Sequence, residues 1–179
     1  MKGYKIRIKR NGERKILEKI AREELFMISL RKEIEAYRLL QGLKSIPRPI
    51  YAKISEKEIV FRREYIEGKT LNEYAMENIK SGSWRNERKE IEQKIIELLI
   101  EMHKKGVVFP DLHEENIIID KEKNIYLVDL GGVKIKDEIP LQEFIECIHI
   151  DFSELLQNLF AGIDYNYKIM MTINHQEEI

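Results

Sequence analysis

Apolar residues recur every three or four positions over residues 85–105, a spacing that predicts a long amphipathic helix with a charged outer face. The apolar stripe of this helix consists of Ile91, Ile95, Leu98, Leu99 and Met102. Gly106 follows directly and is typical of a helix end. A shorter helix is predicted over residues 71–79, with Thr70 as its N-cap and residues 81–83 as the break behind it. We expect the longer helix to pack in the core.

A hairpin pattern follows these helices. Residues 117–119 and 125–128 are short runs of apolar, mostly β-branched side chains, which is typical of buried strands. The polar residues 121–124 between them predict a tight turn. Residues 107–109 form a further apolar run ahead of the hairpin. The residues just before the first strand and just after the second are therefore expected at one edge.

The N-terminal third allows two interpretations. Residues 4–9 alternate between polar and apolar side chains and predict a strand, whereas the next apolar residues, Ile16, Leu17, Ile20, Ala21 and Leu25, have a helical period. Alternatively, Asn11-Gly12 is a hairpin turn, and Lys19 lies on a second strand. That strand would place Glu18 on an apolar face, which favours the helix.

Composition indicates one compact domain of the α+β class. The chain has 179 residues, 43% of them hydrophobic, which is enough to bury a sizeable core. The chain has 31 Lys and Arg residues and 32 acidic residues. It therefore has no net basic charge that would indicate a nucleic-acid partner. The single Cys147 fits a reducing compartment, and no apolar run is long enough for a membrane helix. We expect a cytoplasmic protein, with contact to a membrane surface left open.

Candidate chemistry lies at the open edge of the hairpin. Asp111 and Asn116 have the spacing of the kinase catalytic loop, and Asp129 opens an Asp-Leu-Gly that parallels the metal-binding Asp-Phe-Gly. Phosphoryl transfer from ATP needs Mg²⁺ held by an Asp and an Asn, and a carboxylate that accepts the proton of the attacking hydroxyl. Asn116 and Asp129 are therefore the predicted metal ligands, and Asp111 the predicted base. The alternative, that all three are turn or cap residues, explains each one alone but not their joint occurrence.

On these motifs the chain resembles the small atypical kinases, a group that includes the RIO kinases, the tRNA-modification-complex kinase and the Kdo/heptose kinases of lipopolysaccharide core. Residues 31–40 are similar to the C-helix of that family, and residues 61–71 to its hinge. The resemblance implies a minimal two-lobed kinase-like fold. Its N-lobe would be residues 1–66, containing strands and the C-helix, and its reduced, mainly helical C-lobe would be residues 67–179.

The resemblance also implies a nucleotide site. Glu33 would form an ion pair with the strand lysine that holds the ATP phosphates, and the hinge backbone would take the adenine. The implied hinge residues are Glu64, Tyr65 and Ile66. Lys9 ends a segment of the form V-A-I-K and is the predicted lysine, with Lys19 as its competitor. The implied cofactors are ATP and Mg²⁺.

Two departures keep two function classes open. Phe109-Pro110 stands where the catalytic loop usually has His-Arg, and no glycine-rich loop precedes the lysine. The motifs predict a kinase that phosphorylates a hydroxyl of a sugar, a small molecule or a protein. The departures favour a kinase-like binding or regulatory protein instead. Asp151 would open a helix that steadies the catalytic loop.

Overall fold

The structure, a computed structural model, describes residues 3–12, 14–150, 160, 161 and 163 of the chain. It confirms the α+β class, with a small strand-rich N-terminal part followed by a mainly helical part. The regular elements in chain order are β1 (Lys5–Asn11), β2 (Arg14–Ala21), α1 (Glu24–Leu39), β3 (Pro49–Ile54), β4 (Ile59–Glu64), β5 (Lys69–Thr70), α2 (Leu71–Lys80), α3 (Trp84–Lys104), β6 (Val107–Val108), β7 (Ile117–Ile119), β8 (Ile125–Leu127), β9 (Lys134–Ile135) and α4 (Leu141–Ile150).

A four-stranded antiparallel sheet in the order β1-β2-β4-β3 forms the N-terminal part. The chain turns between β1 and β2 at Gly12, whose φ of 64° suits glycine. The hairpin interpretation is thus confirmed, and the predicted helix from Ile16 to Leu25 is wrong. Successive residues of β2 point to opposite faces of the sheet, so its apolar residues serve two faces rather than one helical stripe.

The objection to the hairpin fails because Glu18 has its own set of cations. Its side chain is only 2% exposed, yet it accepts hydrogen bonds from Lys9 at 2.8 Å and Arg62 at 2.7 Å. Arg7 lies 3.9 Å away on the same face. Burying a carboxylate is costly unless it is paired, and here strands on both sides supply the pairing.

Helix α1 covers the other face of the sheet. It begins at Glu24, earlier than the predicted C-helix over residues 31–40, and buries Leu30, Ile34 and Tyr37. The rings of Tyr37 and Phe61 on β4 lie 5.1 Å apart between centroids. Such apolar burial stabilises the contact by about 1.5–3 kcal/mol per large side chain. The packing fixes α1, and with it Glu33, against β2.

Local signals placed the later elements correctly. Thr70 and Glu73 form a reciprocal capping box at the start of α2, and the left-handed Gly106, with φ 75°, follows the end of α3. The predicted hairpin is present as the antiparallel pair β7–β8, and β5 joins it as a third strand. Strands β6 and β9 form a separate two-stranded sheet.

A hinge, residues 65–68, connects the N-terminal sheet to β5. At Gly68 an added Cβ would lie 2.3 Å from the carbonyl oxygen of Ile119, so only glycine allows the chain to pass β7 this closely. The division into residues 1–66 and 67–179 stays a prediction. The helix predicted from Asp151 lies outside the described residues. Within the described part, no helix is both long and apolar enough to cross a membrane.

Candidate active site

The catalytic loop candidate follows β6 and is held by its apolar residues. Phe109 and Leu112 are buried, and the Leu112 amide donates to the Phe109 carbonyl at 3.1 Å. Asp111, which lies between them, is exposed. Phe109 thus serves as an internal anchor at the position where the kinase pattern has His. The loop presents the Asp111 carboxylate to solvent, as a group that must reach a substrate requires.

Asn116 joins this loop to the hairpin. Its side-chain oxygen accepts a hydrogen bond from the His113 amide at 3.3 Å, and its amide donates to the His113 carbonyl at 2.9 Å. Its own carbonyl accepts from the Val128 amide at 2.8 Å. That last bond closes the hairpin and places Asp129 one residue beyond it. The short hairpin thus brings Asn116 and Asp129 to one edge.

Asp129 adopts the left-handed conformation, with φ 58° and ψ 63°. This backbone costs a non-glycine residue about 1–2 kcal/mol and is common at functional sites. Leu130, the next residue, is fully buried and anchors this turn in the core. At Gly131 a Cβ would lie 3.0 Å from Ser29 Oγ of α1, so this glycine allows the loop to lie close to the helix.

Lys19, Glu33 and Asp129 form a charged network between β2, α1 and this loop. Lys19 Nζ donates to Glu33 Oε2 at 2.7 Å and to Asp129 Oδ1 at 2.8 Å. The Lys19 and Glu33 side chains are 4% and 1% exposed, whereas that of Asp129 is 57% exposed. Burial by itself would lower the pKa of Lys19, but the two carboxylates outweigh it and raise that pKa. The network therefore keeps a buried cation directly behind Asp129, which lines the cleft.

The prediction that Lys9 is the partner of Glu33 is wrong. Lys9 lies on the outer face of the sheet, where it pairs with Glu18 at 2.8 Å. Lys19 takes the place beside Glu33 because β2, not β1, runs next to α1 at this depth of the sheet. The sequence around Lys9 has the form V-A-I-K, but the hairpin places this segment in β1, which is the edge strand of the sheet.

The predicted hinge residues lie where the sheet ends. The Glu64 amide donates to the Arg48 carbonyl at 2.9 Å, and the Tyr65 amide donates to the Lys15 carbonyl at 3.2 Å. Among the described residues, the Ile66 amide has no hydrogen-bond partner. It is therefore free to donate to a ligand. The Glu64 carbonyl already accepts a bond, from Arg63 Nη1 at 3.0 Å.

A cleft of about 280 Å³ brings together Asp111, Asn116 and Asp129, whereas Lys19, Glu33 and the predicted hinge residues do not line it. It is lined by Tyr4, Ser29, Phe109, Asp111, His113, Asn116, Asp129, Gly131 and Gly132. The ring of Tyr4 lies over the ammonium of Lys19, 4.1 Å from Nζ to the centroid, a cation–π contact. No sequence signal pointed to Tyr4. Its position beside Lys19 results from the path of the chain ahead of β1.

The donor atoms at the cleft fit Mg²⁺. This ion is bound by one or two protein oxygens and completes its octahedron with water and substrate phosphates. The Asp129 carboxylate and the Asn116 amide oxygen are such donors. Among the described residues, no group of three His, Cys, Asp or Glu side chains could enclose a metal by itself. A metal here would therefore need a phosphate ligand, as a nucleotide site provides.

Comparisons with known proteins agree with this geometry. A family model described as the protein kinase domain matches residues 2–146, so the chain belongs to that family. The chain is similar to the dual specificity protein kinase zakA of Dictyostelium discoideum, with 28% identity over 104 residues, covering 58% of this chain and 13% of that protein. It is also similar to the probable serine/threonine-protein kinase fnkB of the same organism, with 41% identity over 69 residues, covering 38% and 13%.

A third relative is NUAK family SNF1-like kinase 1 of Mus musculus, with 32% identity over 111 residues, covering 62% of this chain and 16% of that protein. The chain thus spans less than a fifth of the length of these relatives. Membership in the family implies the use of ATP and a divalent metal in general terms.

Proposed function

We propose that this chain binds ATP with Mg²⁺ in the cleft and transfers the γ-phosphoryl group to a hydroxyl. The observation that carries the proposal is the buried Lys19–Glu33 ion pair, whose lysine also reaches Asp129 at 2.8 Å. A scaffold has no physical need for a buried ion pair bonded to an exposed Asp129 that lines a cleft with Asp111 and Asn116. A phosphotransferase needs all five side chains.

In this proposal each residue has one role. Lys19, oriented by Glu33, binds phosphate oxygens of the nucleotide. Asn116 and Asp129 hold the metal, which neutralises charge on the phosphates when bound. Asp111 orients the acceptor hydroxyl and takes its proton. The acceptor oxygen then forms the bond to Pγ as the bond from Pγ to the oxygen of ADP breaks.

A protein hydroxyl is the acceptor that the comparisons support best, because the names of the relatives zakA and fnkB describe protein kinases. The resemblance to small atypical kinases supports a sugar or small molecule. The short segment between Gly132 and α4 also supports a sugar or small-molecule acceptor, because it holds only β9 and one 3₁₀ turn. We favour the protein acceptor, with sugars as the second set of substrates to assay.

A kinase-like binding protein is the second candidate function. Tyr4 covers the ammonium of Lys19, and Asp129 is bonded to the same nitrogen. Phosphates would have to displace both contacts. If these contacts persist in the presence of nucleotide, the chain has the fold of a kinase but does not transfer phosphate.

The first experiment is a thermal-shift titration with ATP and Mg²⁺. Ligand binding raises the melting temperature with the logarithm of concentration, so even millimolar affinity is measurable. We expect Lys19→Met and Asp129→Asn to lose about tenfold or more in affinity, because each removes a charged contact to phosphate or metal. Lys9→Met is the matched control, since it makes the same change on the outer face and should bind like the wild type.

Activity separates the two candidates. With radiolabelled ATP and a generic protein acceptor, Asp111→Asn should keep ATP affinity and lose roughly 10²-fold or more in transfer rate. If the chain binds ATP but transfers no phosphate to protein, sugar or water, the phosphotransferase proposal is refuted and the kinase-like binding protein is supported. A wild type that is folded by circular dichroism but shows no shift with ATP and Mg²⁺ would refute the ATP site itself. If Lys19→Met does not fold, the exposed Asp129→Asn carries the comparison.

A further inference from the structure

Tyr4, the residue just before β1, lies between the cleft and the lysine that is proposed to bind phosphate. Its side chain lines the cleft, whereas that of Lys19 does not. The Tyr4 ring lies against the Lys19 ammonium, 4.1 Å from Nζ to the centroid, and the lysine side chain is only 4% exposed. The proposed function needs this ammonium to contact phosphate oxygens. In the arrangement described here, the site is closed at that point.

Lys19 has no N–H donor that is open to the cleft. An ammonium has three such donors. Glu33 Oε2 accepts one at 2.7 Å, and Asp129 Oδ1 accepts a second at 2.8 Å. The Tyr4 ring covers the ammonium on the side of the cleft, in a cation–π contact. A phosphate can therefore reach Lys19 only if one of these three neighbours moves.

Tyr4 is the neighbour whose displacement costs least. Glu33 and Asp129 are held by charge-assisted hydrogen bonds, which are stronger than contacts of an aromatic ring. Tyr4 is half-buried, and its ring has one further aromatic contact, an edge-on one with Phe26 of α1 at 5.0 Å between centroids. A phosphate that competes for Lys19 would therefore displace the ring before it displaces either carboxylate.

Displacement of the Tyr4 ring requires no change in the sheet. Strand β1 begins at the next residue, Lys5, which pairs with Ile20 of β2. Rotation of the Tyr4 side chain about χ1 therefore moves the ring while the paired strands stay in place. Once the ring has left, the cleft extends to the Lys19 ammonium.

We propose that the Tyr4 ring is a gate over the phosphate subsite, closed in the nucleotide-free chain and displaced by the phosphates of a nucleotide. This inference rests on the proposed function, since it takes Lys19 as the phosphate ligand. The apparent association constant is that of the open form multiplied by the open fraction. A cation–π contact shielded from water corresponds to an open fraction of about a tenth. Loss of the ring should thus tighten binding by about tenfold.

Isothermal titration calorimetry of the full chain with Mg²⁺ and either ATP or tripolyphosphate tests the gate. Tripolyphosphate has three phosphates but no base or sugar, so a gate over the phosphate subsite should act on both ligands. We expect Tyr4→Ala to bind each ligand about tenfold more tightly than the wild type. Tyr4→Phe keeps a ring and should bind like the wild type. Tyr51→Ala is the matched control, because that ring makes the same kind of contact with Arg62 on the outer face, at 4.9 Å.

A second measurement follows the ring in the wild-type sequence. When the chain contains 3-fluorotyrosine, the fluorine NMR signal of Tyr4 is the one that Tyr4→Phe lacks. Mg²⁺ and ATP should move this signal toward that of a solvent-exposed tyrosine. A Tyr4 signal that stays in place at saturating ATP would overturn the gate. This measurement decides even if Tyr4→Ala does not fold.

The outcomes distinguish failure of the gate from failure of the proposed function. Equal affinities of wild type and Tyr4→Ala, or weaker binding by Tyr4→Ala, would overturn the gate and leave the nucleotide site standing. A gain for ATP without a gain for tripolyphosphate would overturn it too, since the ring would then oppose the base or the sugar. If neither protein binds either ligand, although both are folded by circular dichroism, the proposed function is refuted and the gate with it.

Discussion

At the scale of single residues, two glycines set how closely the loops of the cleft approach one another. An added Cβ at Gly132 would lie 3.1 Å from Asp111 Cβ and 3.2 Å from its Oδ2. At Gly131 the same addition would press on Ser29 of α1 at 3.0 Å. Because Gly131 and Gly132 have no Cβ, the loop that carries Asp129 can lie close to Asp111 and to α1.

Gly132→Ala should displace Asp111 by a few tenths of an ångström without unfolding the chain. Misplacement of a catalytic group lowers rate more than binding, so we expect transfer to fall by about tenfold with nearly unchanged ATP affinity. The measurement is kcat beside the dissociation constant of ATP. Gly82→Ala is the control for the backbone, because its Cβ would meet nothing within 4 Å while its φ of 78° strains an alanine, so any loss there reports backbone strain alone. Equal losses of rate in both variants would contradict a positional role for Gly132.

At the scale of elements, the turn of the β7–β8 hairpin is built on Asp120. Its Oδ1 accepts from the amides of Glu122 at 2.9 Å and Asn124 at 2.8 Å, and its Oδ2 accepts from the Asn124 side chain at 3.0 Å. Burial would raise the pKa of Asp120, but these donors outweigh it and hold that pKa below its ordinary value. The turn fixes the hairpin whose far end carries Asn116 and Asp129.

Asp120→Ala should therefore destabilise the chain by about 1–2 kcal/mol at neutral pH, because it leaves turn amides without their acceptor. A carboxylate with a lowered pKa stabilises the fold above the pKa of the unfolded chain and loses that effect as pH falls through the folded value. The difference between wild type and variant should thus shrink below pH 3.8, the ordinary value. Urea unfolding from pH 2.5 to 7 measures it, and a constant difference would refute the assignment.

At the scale of the whole molecule, one network and one core join the two parts. Lys19 connects β2, α1 and the loop after β8, with Glu33 and Asp129 as its partners. Among the described residues, the larger of two clusters of buried apolar side chains extends from Ala21 to Ile163, through both the sheet and the helices. The nucleotide site proposed here lies where they meet.

Lys19→Met should cost about 3–5 kcal/mol at neutral pH, because it leaves the buried Glu33 without its hydrogen-bonded cation. The pKa of Lys19 is raised, so its contribution is complete below the ordinary value of 10.5 and is lost as pH rises through the higher folded value. Urea unfolding from pH 8 to 12 should show the two proteins converging at the alkaline end. Lys19→Met/Glu33→Met is the control and should recover much of the loss. A double variant no more stable than the single one would contradict the explanation.

What the sequence determined was local. The helices α2 and α3 and the β7–β8 hairpin could be predicted from periodicity, an N-cap residue and turn residues, because neighbours in the chain decide these elements. The grouping of Asn116 with Asp129 followed, since a short hairpin returns the chain to its starting edge. This grouping, together with the spacing from Asp111 to Asn116, indicated the kind of chemistry.

The tertiary structure decided which lysine meets Glu33 and what surrounds it. The sequence disfavoured a strand at Glu18 because its partner Arg62 is 44 residues away in the chain. In the folded sheet Arg62 pairs with Glu18, which allows β2 to form and to carry Lys19. Neither Arg63 beside the hinge nor Tyr4 over Lys19 has a signal in the sequence. The physical reason is that the energy of a buried charge depends on partners that only the packed sheet and helix bring within bonding distance.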